Sequence, residues 1–123
     1  MARRPGVAPP RRGEVYLVSF DPTLGAEIRK TRPALILQND VANRWSPITI
    51  VAAISSRSDE TVYPTEVRVD PPEGCRNVPS VVLLNQIRSI DRRRLVKGLG
   101  RLRPGTMKLV DRALQVSLGL AGI

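Results

Sequence analysis

Three cations close a polar loop in this chain. Arg29, Lys30 and Arg32 fall between two strand-like runs in the stretch RGEVYLVSFDPTLGAEIRKTRPALILQND, residues 12–40. Arg32 precedes Pro33, and the residue before a proline is pushed toward extended backbone. Its guanidinium therefore projects from the point where the loop runs into an apolar strand. A planar, permanently charged fork on a fixed backbone suits a two-pronged grip on phosphate, and it can stabilise charge that develops during phosphoryl transfer. An Arg at a strand edge is more commonly just solvated, and the residues alone leave both readings open.

Few other side chains offer chemistry. Ser55 and Ser56 follow the buried run IVAAI, so their hydroxyls reach the rim of the domain. There they could bond a phosphate oxygen or a 2′-hydroxyl, or simply close their own turn. Glu27, in the loop before Arg32, is a possible base, or a partner of Lys30. Gln86 follows a buried strand and could read a base edge, or be an ordinary residue at a bulge. Trp45 is expected to pack at the edge of the core, and Cys75, in a proline-rich loop, has no assigned role.

The absences narrow the chemistry. There is no His, so Ser–His and paired-His acid–base schemes are excluded. One Cys can form neither an internal disulfide nor a zinc site. A metal site would have to be built from carboxylates, and the eleven acidic residues are thinly spread. No metal or cofactor is expected. Neither of the glycine-rich phosphate-binding motifs, GxxxxGK[ST] and GxGxxG, occurs.

At 123 residues and 41% hydrophobic, the chain fits one globular domain with a modest core. The net charge is +9. Residues 1–12 carry four Arg and no acid, so the remainder is basic as well. A basic domain with a basic tail points to a polyanion, nucleic acid by default. Aromatic residues are only 3%, too few for a stacking platform of the single-strand-binding type. The N-terminus MARRPGVAPPRR has no apolar stretch of the kind a secretory signal needs. No run approaches the ~20 apolar residues that cross a bilayer. The expectation is a cytoplasmic protein that does not engage membranes.

The elements that must position these residues follow from periodicity. Residues 1–12 read as a disordered basic tail, and a single domain is expected over 13–123. Gly13–Phe20 alternates as a strand, with Val15 and Leu17 on one side and Tyr16, Val18 and Phe20 on the other. Asp21–Gly25 is turn chemistry, and Ala26–Thr31 a polar loop. Pro33–Gln38 and Pro47–Ile54 are continuous apolar runs, hence buried strands. Asp40 is placed to cap a helical turn over Val41–Arg44. A polar loop over Ser55–Thr61 leads to strands at Thr65–Val69 and Ser80–Leu84, with a loop at Asp70–Pro79 between them. The second of these strands continues through Gln86–Ile90 past a bulge. A helical turn at Asp91–Arg94 and a short strand at Leu95–Leu102 follow. One long helix starts at Pro104, which suits the first helical position. Met107, Val110, Ala113, Leu114, Leu118 and Ala121 recur on one face. The sum is a mainly β domain, a small twisted sheet or open barrel, with a C-terminal helix packed on one side.

At these residues the chain resembles a known family. RGEVYLVSFDPTLGAE, KTRPALILQND, PITIVAAISS and SVVLLNQIRSIDRRRL occur in that order, and together they are similar to the MazF/PemK (Kid) toxins of bacterial type II toxin–antitoxin systems. The resemblance spans Arg12 through the C-terminal helix. It implies an SH3-like β-barrel with a C-terminal helix, a homodimer and an acidic cognate antitoxin. It also implies a metal-independent, sequence-specific endoribonuclease that cuts single-stranded RNA, usually mRNA, and so stops translation and growth. In that chemistry a 2′-hydroxyl attacks the adjacent phosphate, giving a 2′,3′-cyclic phosphate and a 5′-hydroxyl. The family's catalytic Arg falls on Arg32. Its catalytic Thr falls on Ser55, which keeps the hydroxyl but loses the methyl that stiffens χ1. The loop Glu matches Glu27, with Ala26 in place of the usual Ser. In the LL[ED]Q motif, Asn85 replaces an acid before Gln86. The resemblance makes Gly25, Arg29, Lys30, Thr31, Asn85 and Gln86 candidate RNA contacts, with Arg29 and Lys30 as steering charges.

Two rivals remain at this level. The same barrel is shared by CcdB-like toxins, which bind DNA gyrase and hydrolyse nothing. Such a protein has no use for an Arg–Ser pair. A catalytically dead RNA-binding barrel would bind RNA with strong salt dependence and leave it whole.

Overall fold

Val15 and Val18 are an odd number of positions apart in the first strand, so they face opposite sides of one sheet. Each is fully buried, in a different apolar cluster. The computed structural model describes residues 8–20, 31–57, 59 and 62–123. Within them the strands are β1 (Glu14–Ser19), β2 (Thr31–Ile36), β3 (Ile48–Ser56), β4 (Glu66–Val69), β5 (Ser80–Asp91) and β6 (Leu95–Arg101). They form one antiparallel sheet in the order β4-β5-β3-β2-β1-β6. Two helices, α1 (Asp40–Trp45) and α2 (Pro104–Ser117), complete the fold.

The larger cluster joins Val15, Leu35, Leu37, Ala52, Ile54, Val67, Val69, Val82 and Leu84 to Val110 and Ala113 of α2. Helix α2 thus covers one face, packing on β4 and β5. Burying a side chain such as Val110 stabilises the fold by about 1.5–3 kcal/mol. The opposite face carries the smaller cluster of Val18, Ala34, Ile36, Val51 and Ile90, flanked by Tyr16, Phe20 and Leu95. This second face is not covered by α2, and it is where the strand edges remain open for function.

The outer strands β4 and β6 are brought together by an intervening segment. A 3₁₀ turn at Glu73–Cys75, after β4, packs on β6. The Glu73 carboxylate accepts the Arg103 amide at 2.9 Å. A Cβ on Gly100 would sit 3.1 Å from the Cys75 nitrogen, so any larger residue would push the two backbones apart. The sheet curls into an open barrel, and the expected loop at Asp70–Pro79 supplies the closure.

Several boundaries move from their expected places. Strand β2 starts at Thr31 rather than Pro33, because the ladder with β1 begins at Ser19–Thr31. Strand β3 extends through Ser56, which pairs with Ser80, so both serines belong to the sheet and not to the loop. Asn39, not Asp40, caps α1: its Oδ1 accepts from the Ala42 amide at 2.8 Å. Asp40 instead accepts the Arg12 amide at 2.7 Å. Order begins before Gly13, since Pro10 is buried and the Arg12 side chain donates to the Leu37 carbonyl (2.8 Å) and to Asp111 (2.6 Å). Trp45 does not pack at the core edge; it is 59% exposed, with the Arg44 guanidinium 5.6 Å over its ring. Pro104 does open α2. The helix stops at Ser117, where Gly119 at φ 75° lets the Gly119 and Leu120 amides bond back to Val116 and Gln115. Leu118 and Ala121 are therefore outside the helical stripe, and Leu118 is exposed.

Candidate active site

Arg32 stands opposite Val18 in the β1–β2 ladder, and directly opposed residues in an antiparallel pair share a face. Val18 belongs to the smaller cluster. Arg32 is therefore on the face that α2 leaves uncovered, and it is exposed. The β2–β3 ladder runs Ile36–Val51, Leu35–Ala52, Ala34–Ala53. Two residues beyond its last pair on each strand are Arg32 and Ser55, which the same register sets across from each other.

Among the described residues the Arg32 guanidinium has no hydrogen-bond or ion-pair partner. Other cations differ. Arg57 is bidentate to Glu66 at 2.5 and 3.0 Å. Arg68 bonds Asp70 at 2.9 Å, and Arg76 donates to the Ser80 hydroxyl at 2.9 Å. The Arg57 side chain lowers the Glu66 pKa, so that pair stays ionic. Arg32 is left to grip an anion from outside.

A recess of about 300 Å³ opens beside it, lined by Phe20, Arg32, Ala53, Gln86, Ile87 and Arg88. The bulge in β5 shapes it. Ala52 pairs with Ile87 and Ala53 with Leu83, so Leu84–Gln86 have no counterpart on β3. A bulge re-aims side chains that simple alternation would send elsewhere. Leu84 goes to the main core, and Gln86 lines the recess.

The structure thus brings Arg32 and Gln86 together, as two of the expected site residues. Ser55 is exposed near the end of β3. It lies outside the recess lining, and among the described residues its hydroxyl makes only a long 3.4 Å contact to the Ser56 carbonyl. That leaves the Ser55 oxygen available to a ligand lying over Arg32. Asn85 is exposed but does not line the recess. Thr31 opens β2 opposite Ser19, also outside the lining. Gly25, Glu27, Arg29 and Lys30 lie outside the described residues.

Phe20 and Arg88 are site residues that sequence reasoning missed. The Arg88 guanidinium sits 5.0 Å over the Phe20 ring. The signal was present in part: Phe20 continues the alternation Tyr16, Val18, and Arg88 lies two positions past Gln86. Among the described residues no three His, Cys, Asp or Glu side chains are grouped to hold a metal ion. Nor is any helix there long and apolar enough to cross a membrane.

This geometry has close relatives. Residues 11–118 match the model of the PemK-like, MazF-like toxins of type II toxin–antitoxin systems. Endoribonuclease EndoA of Bacillus subtilis is 43% identical over 110 residues, covering 89% of this chain and 95% of the relative. Among solved structures, an endoribonuclease in complex with its cognate antitoxin from a mycobacterial species superposes with TM-score 0.73. It is 26% identical and covers 93% of this chain and 99% of the other. A MazE–MazF complex from Deinococcus radiodurans gives TM-score 0.74 at 26% identity, covering 94% and 100%. Family match and shared fold agree over nearly the whole chain, which belongs to the PemK-like, MazF-like toxins of type II toxin–antitoxin systems.

Proposed function

We propose that this toxin is an endoribonuclease that cuts single-stranded RNA without a metal ion. The observation that carries the reading is Arg32: an exposed guanidinium, unpaired among the described residues, beside a recess and in register with Ser55. In the proposed reaction the 2′-oxygen bonds to the adjacent phosphorus and the bond to the 5′-oxygen breaks as Arg32 protonates that oxygen. The products are a 2′,3′-cyclic phosphate and a 5′-hydroxyl. Arg32 holds the scissile phosphate and stabilises the pentacovalent dianion. Ser55 orients the phosphate or the attacking hydroxyl. Glu27 is the candidate general base that takes the 2′-hydroxyl proton. Gln86 contacts a base, with Gly25, Thr31 and Asn85 as further RNA contacts, and Arg29 and Lys30 steer the polyanion inward.

The same reading gives the protein a cytoplasmic location, a single catalytic domain, a homodimeric state and an acidic antitoxin as partner. The relatives solved with antitoxins and the net charge of +9 support the last. The test is incubation of purified protein with single-stranded RNA in EDTA, followed by analysis of the new ends. Fragments ending in cyclic phosphate are expected. Intact RNA, or equal cutting by Arg32→Ala, overturns the proposal.

A further inference from the structure

We infer that Glu66 is a positioning residue for the Ser55 hydroxyl: its carboxylate ties down the chain where β3 ends, just past Ser55. The inference rests on the RNA-cleaving reading and goes further by naming what holds the hydroxyl in place.

Ser55 stands where the sheet gives it least support. On one side the β2–β3 ladder stops at Ala34–Ala53. On the other, Ser55 pairs with Val81 and Ser56 with Ser80, and β3 ends there. Strand ends open more readily than strand centres. The side chain adds little restraint of its own. It lacks the β-branch that stiffens χ1, and among the described residues its hydroxyl makes only the long contact to the Ser56 carbonyl. The hydroxyl is therefore aimed by the backbone that carries it, and by whatever fixes that backbone.

Glu66 supplies the fixing contact from β4. It pairs with Leu83, which pairs in turn with Ala53, so its side chain shares the face of Ser55. Both carboxylate oxygens turn to the chain that follows Ser55. Arg57 donates to Oε1 at 2.5 Å and to Oε2 at 3.0 Å. The Tyr63 amide donates to Oε1 at 3.2 Å, and the Glu66 amide returns a bond to the Tyr63 carbonyl at 2.8 Å. One carboxylate thus joins the residue that leaves β3 to one that approaches β4. Arg68, the next residue on that face of β4, donates to the Asp59 carbonyl at 2.9 Å.

The grip is directional. A two-pronged Arg–carboxylate pair sets the geometry of both partners as well as holding them. The Glu66 side chain is only 7% exposed, so water competes little for its oxygens. The grip is also local. Among the described residues every bond of the Glu66 side chain goes to Arg57 or Tyr63. Arg32 lies on β2, paired with Val18 of β1, and no bond of Glu66 reaches either strand. Loss of the grip is therefore felt at Ser55 and not at Arg32.

The test is a double-mutant cycle on RNA cleavage, with rates taken per folded molecule. Glu66→Gln keeps the shape and loses the charge. It should lower kcat by about tenfold and leave KM unchanged. In a Ser55→Ala background the same change should cost less than about twofold, since the hydroxyl it aims is gone. Combined with Arg32→Lys its cost should be undiminished. Equal cost in all three backgrounds marks a purely structural role and overturns the inference, and so does a wild-type rate in Glu66→Gln. Should Glu66→Gln fail to fold, Arg57→Lys, which keeps the charge without the fork, takes its place in the cycle. A second readout does not depend on cleavage. Hydrogen exchange at the Arg57 amide, which bonds the Pro79 carbonyl, should lose protection in Glu66→Gln. The Leu37 amide, which bonds Ile50, should keep its protection. Unchanged protection at Arg57, or equal loss at both amides, overturns the inference. Selective loss at Arg57 in a protein that leaves RNA whole would sink the proposed cleavage and keep the hold of Glu66 on the strand end.

Discussion

Continuing the β2–β3 register two residues past its last pair, Ala34–Ala53, sets Arg32 across from Ser55. The ladder thus ends where the two polar side chains begin, and both are exposed. A phosphodiester lying over this end of the sheet meets a guanidinium from one strand and a hydroxyl from the next. Donors carried on strands need little reorganisation when charge develops.

Arg32→Ala should lower kcat by about 10²–10³-fold, the usual cost of removing one donor aimed at developing negative charge. Arg32→Lys should recover only part of this, because a point charge replaces the bidentate fork. Single-turnover cleavage of a labelled RNA oligonucleotide measures both. Equal rates for Arg32→Lys and wild type would mean that charge alone suffices and that the fork geometry is irrelevant.

Ser55→Thr should keep activity and raise kcat by no more than about tenfold. The β-branched side chain is restricted at χ1, and a restricted rotamer is worth about 0.5–1.5 kcal/mol. Ser55→Ala should lose rate, since among the described residues the hydroxyl makes only a long contact to the Ser56 carbonyl and can serve the substrate. Comparing kcat for the three proteins tests this, and an Ala variant as fast as wild type would remove Ser55 from the mechanism.

The sheet was legible because its alternation is clean. Val15 against Tyr16, Val18 and Phe20 announces a strand with two buried faces, and PALIL and ITIVAAI read as strands covered on both sides. Arg32 was legible from its proline neighbour and its motif. What alternation could not supply is the consequence of the β5 bulge. Three residues without partners break the two-residue period, so sequence ranks Asn85 and Gln86 together while only Gln86 lines the recess. Arg88 escaped because its meaning depends on Phe20, a residue of another part of the sheet. By residue type either Asn39 or Asp40 can cap α1, and only the tertiary bond to the Arg12 amide commits Asp40 elsewhere.

Gly74→Ala should destabilise the barrel closure by about 1–3 kcal/mol. Gly74 has φ +65°, and an added Cβ would lie 3.0 Å from Leu102 Cδ2 and 3.2 Å from Val15 Cγ2. Both neighbours are buried core side chains with little room to yield. The strain falls on the segment that joins the two outer strands, against Val15 and Leu102 of the larger cluster, on the opposite face of the sheet from Arg32. Urea denaturation should show the loss, while cleavage per folded molecule stays at the wild-type value.

Glu66 and Arg57 set a pH dependence of stability. Hydrogen bonding from Arg57 is the main cause that holds the Glu66 pKa below its ordinary value, and the Tyr63 amide adds to it. The Glu66 side chain is 7% exposed and that of Arg57 25%, so solvent screens the pair only in part. A carboxyl whose pKa is depressed on folding contributes its full stability above its unfolded value, about 4.3. That contribution fades as pH falls through the lower folded value. Stability of the wild type should therefore be flat from pH 7 to about 5 as far as this pair is concerned, then decline on further acidification. Glu66→Gln should be less stable than wild type at pH 7, with the difference narrowing toward pH 3. Urea midpoints at pH 7, 5, 4 and 3 for both proteins measure it, and a gap that stays constant over that range would show that ionisation of Glu66 contributes nothing.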